Sequence, residues 1–494
     1  MKYILALDQG TTSSRAILFD EEGKPVSVAQ REIQQIFPQA GWVEHDPEEI
    51  WRAVQQVCRD AMAKRPAGGV RAIGITNQRE TTVVWNRKTG KAIHNAIVWQ
   101  DRRGAPLCRK LIEEGWEPKI QAKTGLLIDS YFSATKVRWF LDNVPGAQAA
   151  AERGELAMGT IDSFLLWRLT GGKVHATDVT NASRTMLFNI HTMDWDEELL
   201  ELFKIPKSML PKVLECADEF GTSAKEAIGA TLPIAGIAGD QQAALIGQAC
   251  FAPGMTKSTY GTGCFMLLNT GRKAVASTRG LLTTPAYRIG GETAYALEGS
   301  IFVAGAAVKW LRDGLGVITD AAETESMATR VPDSHGVTIV PAFTGLGAPY
   351  WDPDARGAIF GLTLDTTGTH LARAALEAVA YQSLDLIEAV AADYPSGASA
   401  MRIDGGMAAN RWLCQFLADI LQVPIERPRN LETTALGAAF LAGLATGVWG
   451  NTEEVEATWA RQDCFEPKMD AARRNRLLKD WEDAVARTLS HAPR

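Results

Sequence analysis

The residues most suited to chemistry stand near the start of the chain, where an acidic residue precedes a glycine and three hydroxyl residues. The run Asp-Gln-Gly-Thr-Thr-Ser at residues 8–13 separates two apolar runs, which predicts a buried hairpin. Gly10 lets the backbone approach a ligand closely, and the hydroxyls that follow it add to a concave row of backbone N–H groups that can hold a phosphate. Asp8 could orient a hydrated Mg²⁺ on the same phosphates. An ordinary hairpin turn capped by an aspartate is the alternative.

A partial repeat of this pattern and a pair of glycines occur in the second half of the chain. The run Tyr-Gly-Thr-Gly at residues 260–263 again links two strand-like runs, and Gly405 and Gly406 open a helical pattern. Two phosphate-type hairpins indicate two related halves facing one nucleotide, and paired glycines leave room for a base or ribose. This order resembles the nucleotide fold of actin, Hsp70 and hexokinase. We therefore predict an α/β fold of two actin/Hsp70/hexokinase-like (ribonuclease H-like) domains with an interdomain ATP and substrate cleft.

Polar residues follow two other apolar runs. Arg79 and Glu80 come after the strand-like run 70–75, and Asp101 comes after the run 95–99. Because open α/β sheets place ligand groups at the ends of apolar strands, these three residues are candidate substrate residues. A solvated ion pair in a turn is the alternative.

Asp240 stands between a strand of small residues and the start of a predicted helix, in the run Gly-Asp-Gln at residues 239–241. An aspartate at this position could be the N-cap of the helix. It could equally be a carboxylate at the floor of a cleft that accepts a proton as a general base. The residues leave both roles open, and the two are compatible.

Composition limits the class of protein. A chain of 494 residues with 46% hydrophobic and 22% charged residues is typical of a globular protein with two or three domains. The net charge of −7 argues against nucleic acid or an anionic membrane as the main partner. Seven scattered cysteines without Cys-x-x-Cys spacing indicate neither a disulfide framework nor a zinc site, which favours a reducing cytoplasm. With no signal peptide and no apolar run near 18 residues, we expect no membrane insertion.

The elements that position these residues also have sequence signals. Asp46 and Pro47 have the spacing of an N-cap and a first helical residue. The run 81–85 is predicted to pair with the strand 70–75. The chain is predicted to cross between domains near residue 248, which gives an N-terminal domain of residues 1–248 and a C-terminal domain of residues 249–494. Further helices are predicted in the ranges 371–390, 413–421 and 435–444.

Several of these stretches together resemble the FGGY carbohydrate kinases, from the first strand to about residue 450. The matching stretches are residues 8–13, Tyr131 with Lys136 and Trp139, 239–241, 260–263, 357–361 up to Glu377, and 404–406. Those at 41–47, 77–81 and 99–102 are similar to the motifs of family members that act on glycerol. The resemblance implies ATP-dependent phosphorylation of glycerol at a terminal hydroxyl, giving sn-glycerol 3-phosphate.

The resemblance also implies roles for individual residues, with Asp240 as the general base and Mg²⁺ near Asp8 and Asp240. The implied substrate residues are Arg79, Glu80, Trp99, Tyr131, Asp240, Gln241 and Phe265. The implied nucleotide residues are Thr11, Thr12, Ser13, Arg15, Thr262, Gly305, Lys309, Gly406 and Asn410. Lys309 departs from the family, in which close relatives carry Gln. The segment 219–231 lacks the glycine-rich loop with which some members bind a sugar bisphosphate.

Other functions stay open at this point. The chain could be a kinase for another polyol or a pentulose, an actin- or Hsp70-like ATPase that drives partner binding, or a pseudoenzyme that only binds nucleotide. The polar residues at 79–80 and 240–241 argue against the ATPase. We also expect a homodimer or a homotetramer.

Overall fold

A computed structural model describes residues 1–64, 69–398 and 400–490, and two large β-sheets form its frame. The strands are β1 (Lys2–Gln9), β2 (Ser13–Phe19), β3 (Pro25–Glu32), β4 (Glu44–His45), β5 (Gly69–Asn77), β6 (Thr82–Asn86), β7 (Ala96–Ile97), β8 (Leu156–Thr160), β9 (Ala176–Asp178), β10 (Phe188–Asn189), β11 (Asp194–Trp195), β12 (Lys212–Leu214), β13 (Ile234–Gly239), β14 (Thr256–Tyr260), β15 (Cys264–Gly271), β16 (Leu282–Ile289), β17 (Glu292–Ile301), β18 (Thr338–Val340), β19 (Ala358–Phe360), β20 (Met401–Asp404), β21 (Ile425–Pro428) and β22 (Arg461–Phe465).

Helices cover both sheets and fill the connections. They are α1 (Pro47–Ala63), α2 (Ala105–Glu113), α3 (Glu117–Thr124), α4 (Ser133–Asn143), α5 (Ala147–Glu152), α6 (Ile161–Leu169), α7 (Val179–Ala182), α8 (Glu197–Leu202), α9 (Lys225–Ile228), α10 (Asp240–Gly247), α11 (Gly305–Asp313), α12 (Glu323–Arg330), α13 (Gly368–Asp393), α14 (Arg411–Leu421), α15 (Thr433–Ala445), α16 (Thr452–Thr458) and α17 (Ala471–Thr488), with 3₁₀ segments at Ser183–Thr185, Lys207–Met209 and Gly406–Ala409. Within the three described ranges, no helix is both long and apolar enough to cross a bilayer.

The first sheet has the strand order β13-β5-β1-β2-β3. β1 and β2 form the predicted antiparallel hairpin, with Asp8 opposite Arg15, and β5 runs parallel to β1. Side chains of β1 alternate between two cores: Ile4 and Ala6 join one hydrophobic cluster, and Tyr3, Leu5 and Leu7 join another. A strand buried on both faces fixes the hairpin turn firmly at the edge of the sheet.

The second sheet repeats this arrangement. Its strand order is β16-β17-β15-β14-β20-β21-β22, β14 and β15 form the second antiparallel hairpin, and β20 runs parallel to β14. Each half therefore contains a hairpin with a parallel strand beside its first strand. This confirms the predicted α/β fold with two related halves.

A smaller sheet corrects one prediction. β6 was predicted to pair with β5, but it pairs with β8 and β7 in a four-stranded sheet of order β4-β7-β6-β8. Both sides of β5 are already occupied by β1 and β13. After β5 the chain turns sharply, with Glu80 at a φ of 60° and the Thr81 N–H bonded to the Arg79 carbonyl. This turn carries β6 out of the first sheet.

Helices α1 and α15 both occur where the sequence predicts them. α1 begins with the Asp46 carboxylate accepting the Glu48 N–H at its N-terminus. α15 covers the predicted range 435–444, but it packs against α10 and the first sheet, although it belongs to the last part of the chain. The division into domains 1–248 and 249–494 stays a prediction, since α15 crosses back to the first sheet.

Candidate active site

The turns of the two hairpins are tight and leave their backbones accessible. In the first, the Gly10 N–H donates to the Ser13 carbonyl at 2.9 Å, and Thr12 at the tip is exposed. In the second, the Gly261 N–H donates to the Gly263 carbonyl at 2.9 Å. Gly-Thr turns of this kind present N–H groups and hydroxyls outward, as a phosphate site requires.

The second turn leads into a cavity of about 560 Å³. Five predicted nucleotide residues line it: Thr262, Gly305, Lys309, Gly406 and Asn410. Most of the other lining residues are small or apolar, with Arg312 and Glu325 as the charged exceptions, which leaves room for a base. Gly305 is needed for close approach, because a Cβ there would lie 2.6 Å from the Gly261 carbonyl oxygen.

The other four predicted nucleotide residues, Thr11, Thr12, Ser13 and Arg15, lie on the first hairpin. Arg15 is held by an ion pair of 2.6 Å with Glu432, directly before α15. Its guanidinium is therefore oriented by the end of a helix from the last part of the chain. The nine residues thus divide between the first hairpin, with four of them, and the cavity beside the second turn, with five.

The predicted substrate residues Arg79 and Glu80 are buried, with exposed fractions of 2% and 1%. The Arg79 Nη1 and Nη2 atoms donate to the Glu298 carboxylate at 2.5 and 2.8 Å. Glu80 Oε1 accepts from Arg184 Nε at 2.7 Å, and Arg184 Nη2 donates to Glu298 at 3.0 Å. A solvated ion pair in a turn, the alternative for residues 79–80, is therefore wrong. We call Arg79, Glu80, Arg184 and Glu298 the ion ring.

Charges in the ion ring are mutually compensated. Burial opposes ionisation of Glu298, but Arg184 and Arg79 outweigh it and hold the pKa of Glu298 at about 2. Burial raises the pKa of Glu80, against the opposing effect of Arg184 and Arg79. The two carboxylates therefore face two guanidinium groups in a region removed from solvent.

Asp240 lies at the open side of this ring. Its Oδ1 is 3.3 Å from Arg79 Nε, and its side chain is 29% exposed. Asp240 is the first residue of α10 and Gly239 is the N-cap, so the N-cap interpretation is wrong. The carboxylate instead accepts the Gln241 N–H at 2.7 Å. Removal from water raises the pKa of Asp240, with Arg79 and Lys257 acting in the opposite direction.

Gln241 is oriented by a buried lysine. Lys257 Nζ donates to Gln241 Oε1 at 2.5 Å, to Thr259 Oγ1 at 3.0 Å and to the Phe265 carbonyl at 3.2 Å. Because the amide oxygen of Gln241 is occupied, its NH₂ group is the part left for a ligand. Burial lowers the pKa of Lys257.

Three aromatic residues surround the same space. The ring of Trp99 lies 5.7 Å from Tyr131 and 6.2 Å from Phe265, edge to face in both cases. The Tyr131 hydroxyl is 3.5 Å from Arg79 Nη2, so Tyr131 both packs and reaches the ion ring. Trp99 Nε1 donates to Thr11 Oγ1 at 2.9 Å. One hydrogen bond thus joins the predicted substrate residues to the first hairpin.

A magnesium ion would have to rely on few protein ligands. Among the described residues, no group of three or more His, Cys, Asp or Glu side chains is arranged to hold a metal. Burial, together with the nearby charges of Asp240 and Glu432, raises the pKa of Asp8 to about 7 against the opposing effect of Arg15. Two carboxylates that repel each other across a phosphate site fit Mg²⁺, which takes few carboxylates and keeps its waters.

One candidate substrate residue, Asp101, does not join the site. Asp101 bonds to Arg103 at 2.8 Å and to the Val43 N–H at 2.6 Å, which is a structural role. Sequence reasoning missed Arg184, Glu298 and Lys257: the first two lie outside every motif, and Lys257 lies in the strand-like run before the second turn without having been singled out. Glu298 and Lys257 stand within strands, and a lone charge in an otherwise buried strand was the available signal. Arg184 had no comparable signal.

Known proteins resemble this chain along its whole length. Residues 3–247 match the N-terminal domain and residues 256–446 the C-terminal domain of the FGGY family of carbohydrate kinases. Glycerol kinases of Ectopseudomonas mendocina and Gluconobacter oxydans are 60% and 59% identical, covering 99% of this chain and 99% and 95% of theirs. The crystal structure of Plasmodium falciparum glycerol kinase with ADP superposes with a TM-score of 0.92 at 39% identity, covering 99% of both chains. The chain belongs to the FGGY family of carbohydrate kinases.

Proposed function

We propose that this protein transfers the terminal phosphoryl group of ATP to a terminal hydroxyl of glycerol, giving sn-glycerol 3-phosphate. The observation that carries the proposal is the hydrogen bond from Trp99 to Thr11, because it joins a predicted substrate residue directly to a predicted phosphate residue. The similarity to glycerol kinases over the full chain supports the choice of substrate.

The pocket has the chemistry that glycerol needs. Glycerol is small and carries a hydroxyl on each carbon, so its recognition depends on paired hydrogen bonds. Glu80 and Asp240 supply acceptors, while Arg79, the Tyr131 hydroxyl and the Gln241 amide supply donors. Trp99 and Phe265 offer flat apolar surfaces to the three carbons. Arg79 is already bonded to Glu298, so its donors have fixed directions before a substrate enters.

Asp240 is the general base in this proposal. Its carboxylate is partly exposed at the open side of the ion ring, where a substrate hydroxyl can reach it. A raised pKa makes the carboxylate a better proton acceptor than an ordinary aspartate. The attacking oxygen would lose its proton to Asp240 as the oxygen–phosphorus bond forms, while ADP departs on the opposite side.

The remaining residues hold the nucleotide and its metal. The first hairpin, with Thr11, Thr12, Ser13 and Arg15, and the second turn, with Thr262, would bind the phosphates. Gly305, Lys309, Gly406 and Asn410 would enclose the adenosine in the cavity at the second sheet. Asp8 and Asp240 would hold Mg²⁺, which neutralises phosphate charge when bound.

Location and assembly are part of the proposal. All seven cysteines lie in the described residues as free thiols, six of them buried, which supports a reducing cytoplasm. A homodimer or a homotetramer is supported by Leu362 and Leu364, neighbouring apolar side chains that are 58% and fully exposed. Light scattering at several concentrations tests the assembly, and the mass of a single chain throughout would contradict it.

A substrate panel tests the function. ADP release would be measured with glycerol, erythritol, dihydroxyacetone, xylulose and ribulose at saturating ATP and Mg²⁺. We expect the highest kcat/KM with glycerol and a product phosphorylated at a terminal carbon. A higher kcat/KM with a pentulose or another polyol would assign the site to a different substrate. ADP release that is equal with and without any polyol would indicate an ATPase.

A further inference from the structure

Glu298 reaches the substrate pocket from the opposite half of the molecule. It lies on β17, which pairs with β15 and β16 in the second sheet, whereas Arg79 follows β5 of the first sheet. Its carboxylate is fully buried and receives three hydrogen bonds, two from Arg79 and one from Arg184. The orientation of Arg79 therefore depends on a residue 219 positions away along the chain.

Arg184 completes the arrangement from the other side. It lies in the 3₁₀ segment Ser183–Thr185, bonds Glu80 through Nε and bonds Glu298 through Nη2. Its Cζ lies 5.7 and 5.4 Å from the rings of Tyr131 and Phe132. Tyr131 is itself a proposed substrate residue, so the Arg184 guanidinium bonds one proposed substrate residue, Glu80, and packs against another, Tyr131.

Stability alone is a poor explanation for the ion ring. Replacing a buried ion pair with apolar residues of the same volume is often neutral or stabilising, because desolvating charges is costly. The ring is also imperfect, since the buried Arg184 Nη1 has no hydrogen-bond partner among the described residues. An ion ring whose burial costs desolvation energy is better explained by the side chains that it holds in one orientation, Arg79 and Glu80.

We propose that Glu298 and Arg184 are positioning residues that fix Arg79 and Glu80 for recognition of the polyol substrate. Glu298 occupies both terminal nitrogens of Arg79 and so directs its Nε toward Asp240 and an Nη2 donor toward Tyr131. Arg184 occupies Oε1 of Glu80 and leaves its other oxygen for a substrate hydroxyl. Neither residue touches the substrate. This inference rests on the proposed function, since it concerns the substrate of the same site.

Two variants test the inference by separating substrate binding from nucleotide binding. Glu298→Gln keeps the shape but removes the charge that holds two arginines. Arg184→Lys keeps the charge but can no longer bridge Glu80 and Glu298. For each variant we expect the KM for glycerol to rise about 10- to 100-fold, with the KM for ATP changed less than about twofold. Glu298→Asp, which keeps the charge, should recover part of the loss.

A buried ion pair elsewhere provides the matched control. Glu377 is 2% exposed and pairs with Arg373 at 2.8 Å on α13, outside the ion ring. Glu377→Gln should lower the melting temperature and leave the KM for glycerol unchanged. If Glu298→Gln behaves in the same way, the ion ring is structural and the inference fails.

The size of the change in glycerol KM decides the inference in either direction. A rise below about fivefold in either folded variant overturns it, and a larger rise with unchanged ATP KM supports it. If Glu298→Gln does not fold, Arg184→Lys decides alone, because it keeps the charge and nearly the length of the side chain. Failure of the proposed function is a separate result, since wild-type protein would then show no glycerol-dependent ADP release.

Discussion

At the scale of single residues, the environment of Asp240 sets what this carboxylate can do. It is partly exposed, next to Arg79, and accepts one backbone N–H from Gln241. An asparagine can accept the same hydrogen bond but cannot take a proton. Geometry and proton transfer can therefore be tested separately at this position.

We expect Asp240→Asn to fold like the wild type and to lose most of its activity. The Gln241 N–H keeps an acceptor, so the melting temperature should change little. General base catalysis contributes roughly 10²- to 10⁴-fold, and kcat should fall by that amount or more if Asp240 also holds Mg²⁺. Steady-state kinetics and thermal unfolding measure both effects. A variant with wild-type kcat would remove Asp240 from the chemistry.

His45 gives a prediction about pH. The imidazole is 1% exposed, and burial lowers its pKa from 6.5 to about 4. Between these values the unfolded chain binds the proton and the folded protein does not, so stability is fully present above pH 6.5 and falls as pH decreases toward 4. A fall in the His45 pKa from 6.5 to about 4 corresponds to a loss of about 3 kcal/mol in the free energy of unfolding at low pH.

Urea unfolding of wild type and His45→Gln from about pH 7.5 to about pH 4.5 measures this loss. Glutamine does not titrate, so the variant should lose less stability than the wild type on acidification. Because other buried groups titrate identically in both proteins, the difference between the two curves isolates His45. Parallel curves would show that folding does not lower the pKa of the His45 imidazole.

At the scale of elements, α10 and α15 approach each other unusually closely. A Cβ at Gly437 would lie 1.8 Å from the Ala243 carbonyl oxygen, and a Cβ at Gly247 would lie 1.9 Å from the Thr433 carbonyl oxygen. Glycines on both helices therefore permit the contact. Since Asp240 begins α10, this contact also fixes the position of the proposed base.

Gly437→Ala should separate the two helices. We expect a loss of about 1 to 3 kcal/mol in unfolding free energy, because the backbone of α10 cannot yield without shifting, and a lower kcat for the same reason. Gly69→Ala is the control. Apart from its chain neighbours, no atom of the described residues lies within 4 Å of the position of the new methyl group. The φ of Gly69 also lies outside the left-handed region, so alanine causes no backbone strain there. That control should change stability by no more than about 0.5 kcal/mol. Equal stability of the two variants would contradict the close contact.

At the scale of the whole molecule, the proposed site takes its residues from both halves. The phosphate hairpins lie one on each sheet, and the ion ring joins the halves at the floor of the pocket. ATP would be hydrolysed if water reached the reacting atoms, so the site must exclude water during transfer. A rotation of the two halves about the ion ring would close the site and leave these buried bonds intact.

Small-angle scattering tests this closure. We expect glycerol together with a non-hydrolysable ATP analogue to reduce the radius of gyration, while glycerol alone has a smaller effect. An unchanged radius at saturating concentrations of both ligands would mean that the site is already closed.

The sequence by itself determined the elements whose signals are local. Both hairpins, the start of α1 and the helix α15 were predicted correctly from apolar runs that flank Gly/Thr turns, from capping residues and from helical spacing. These patterns act within a few residues, because a turn or a helix end is completed by its immediate neighbours.

Only the tertiary structure decided which distant residues meet. β6 left the strand predicted as its partner because β1 and β13 already flank β5. α15 returned to the first sheet, and the ion ring joined Arg79 to Glu298 across 219 positions. No spacing in the sequence encodes such a contact, since the partners are brought together by the packing of two sheets. The sequence could therefore mark Glu298 as an unusual charge within a buried strand, but only the fold showed that Arg79 is its partner.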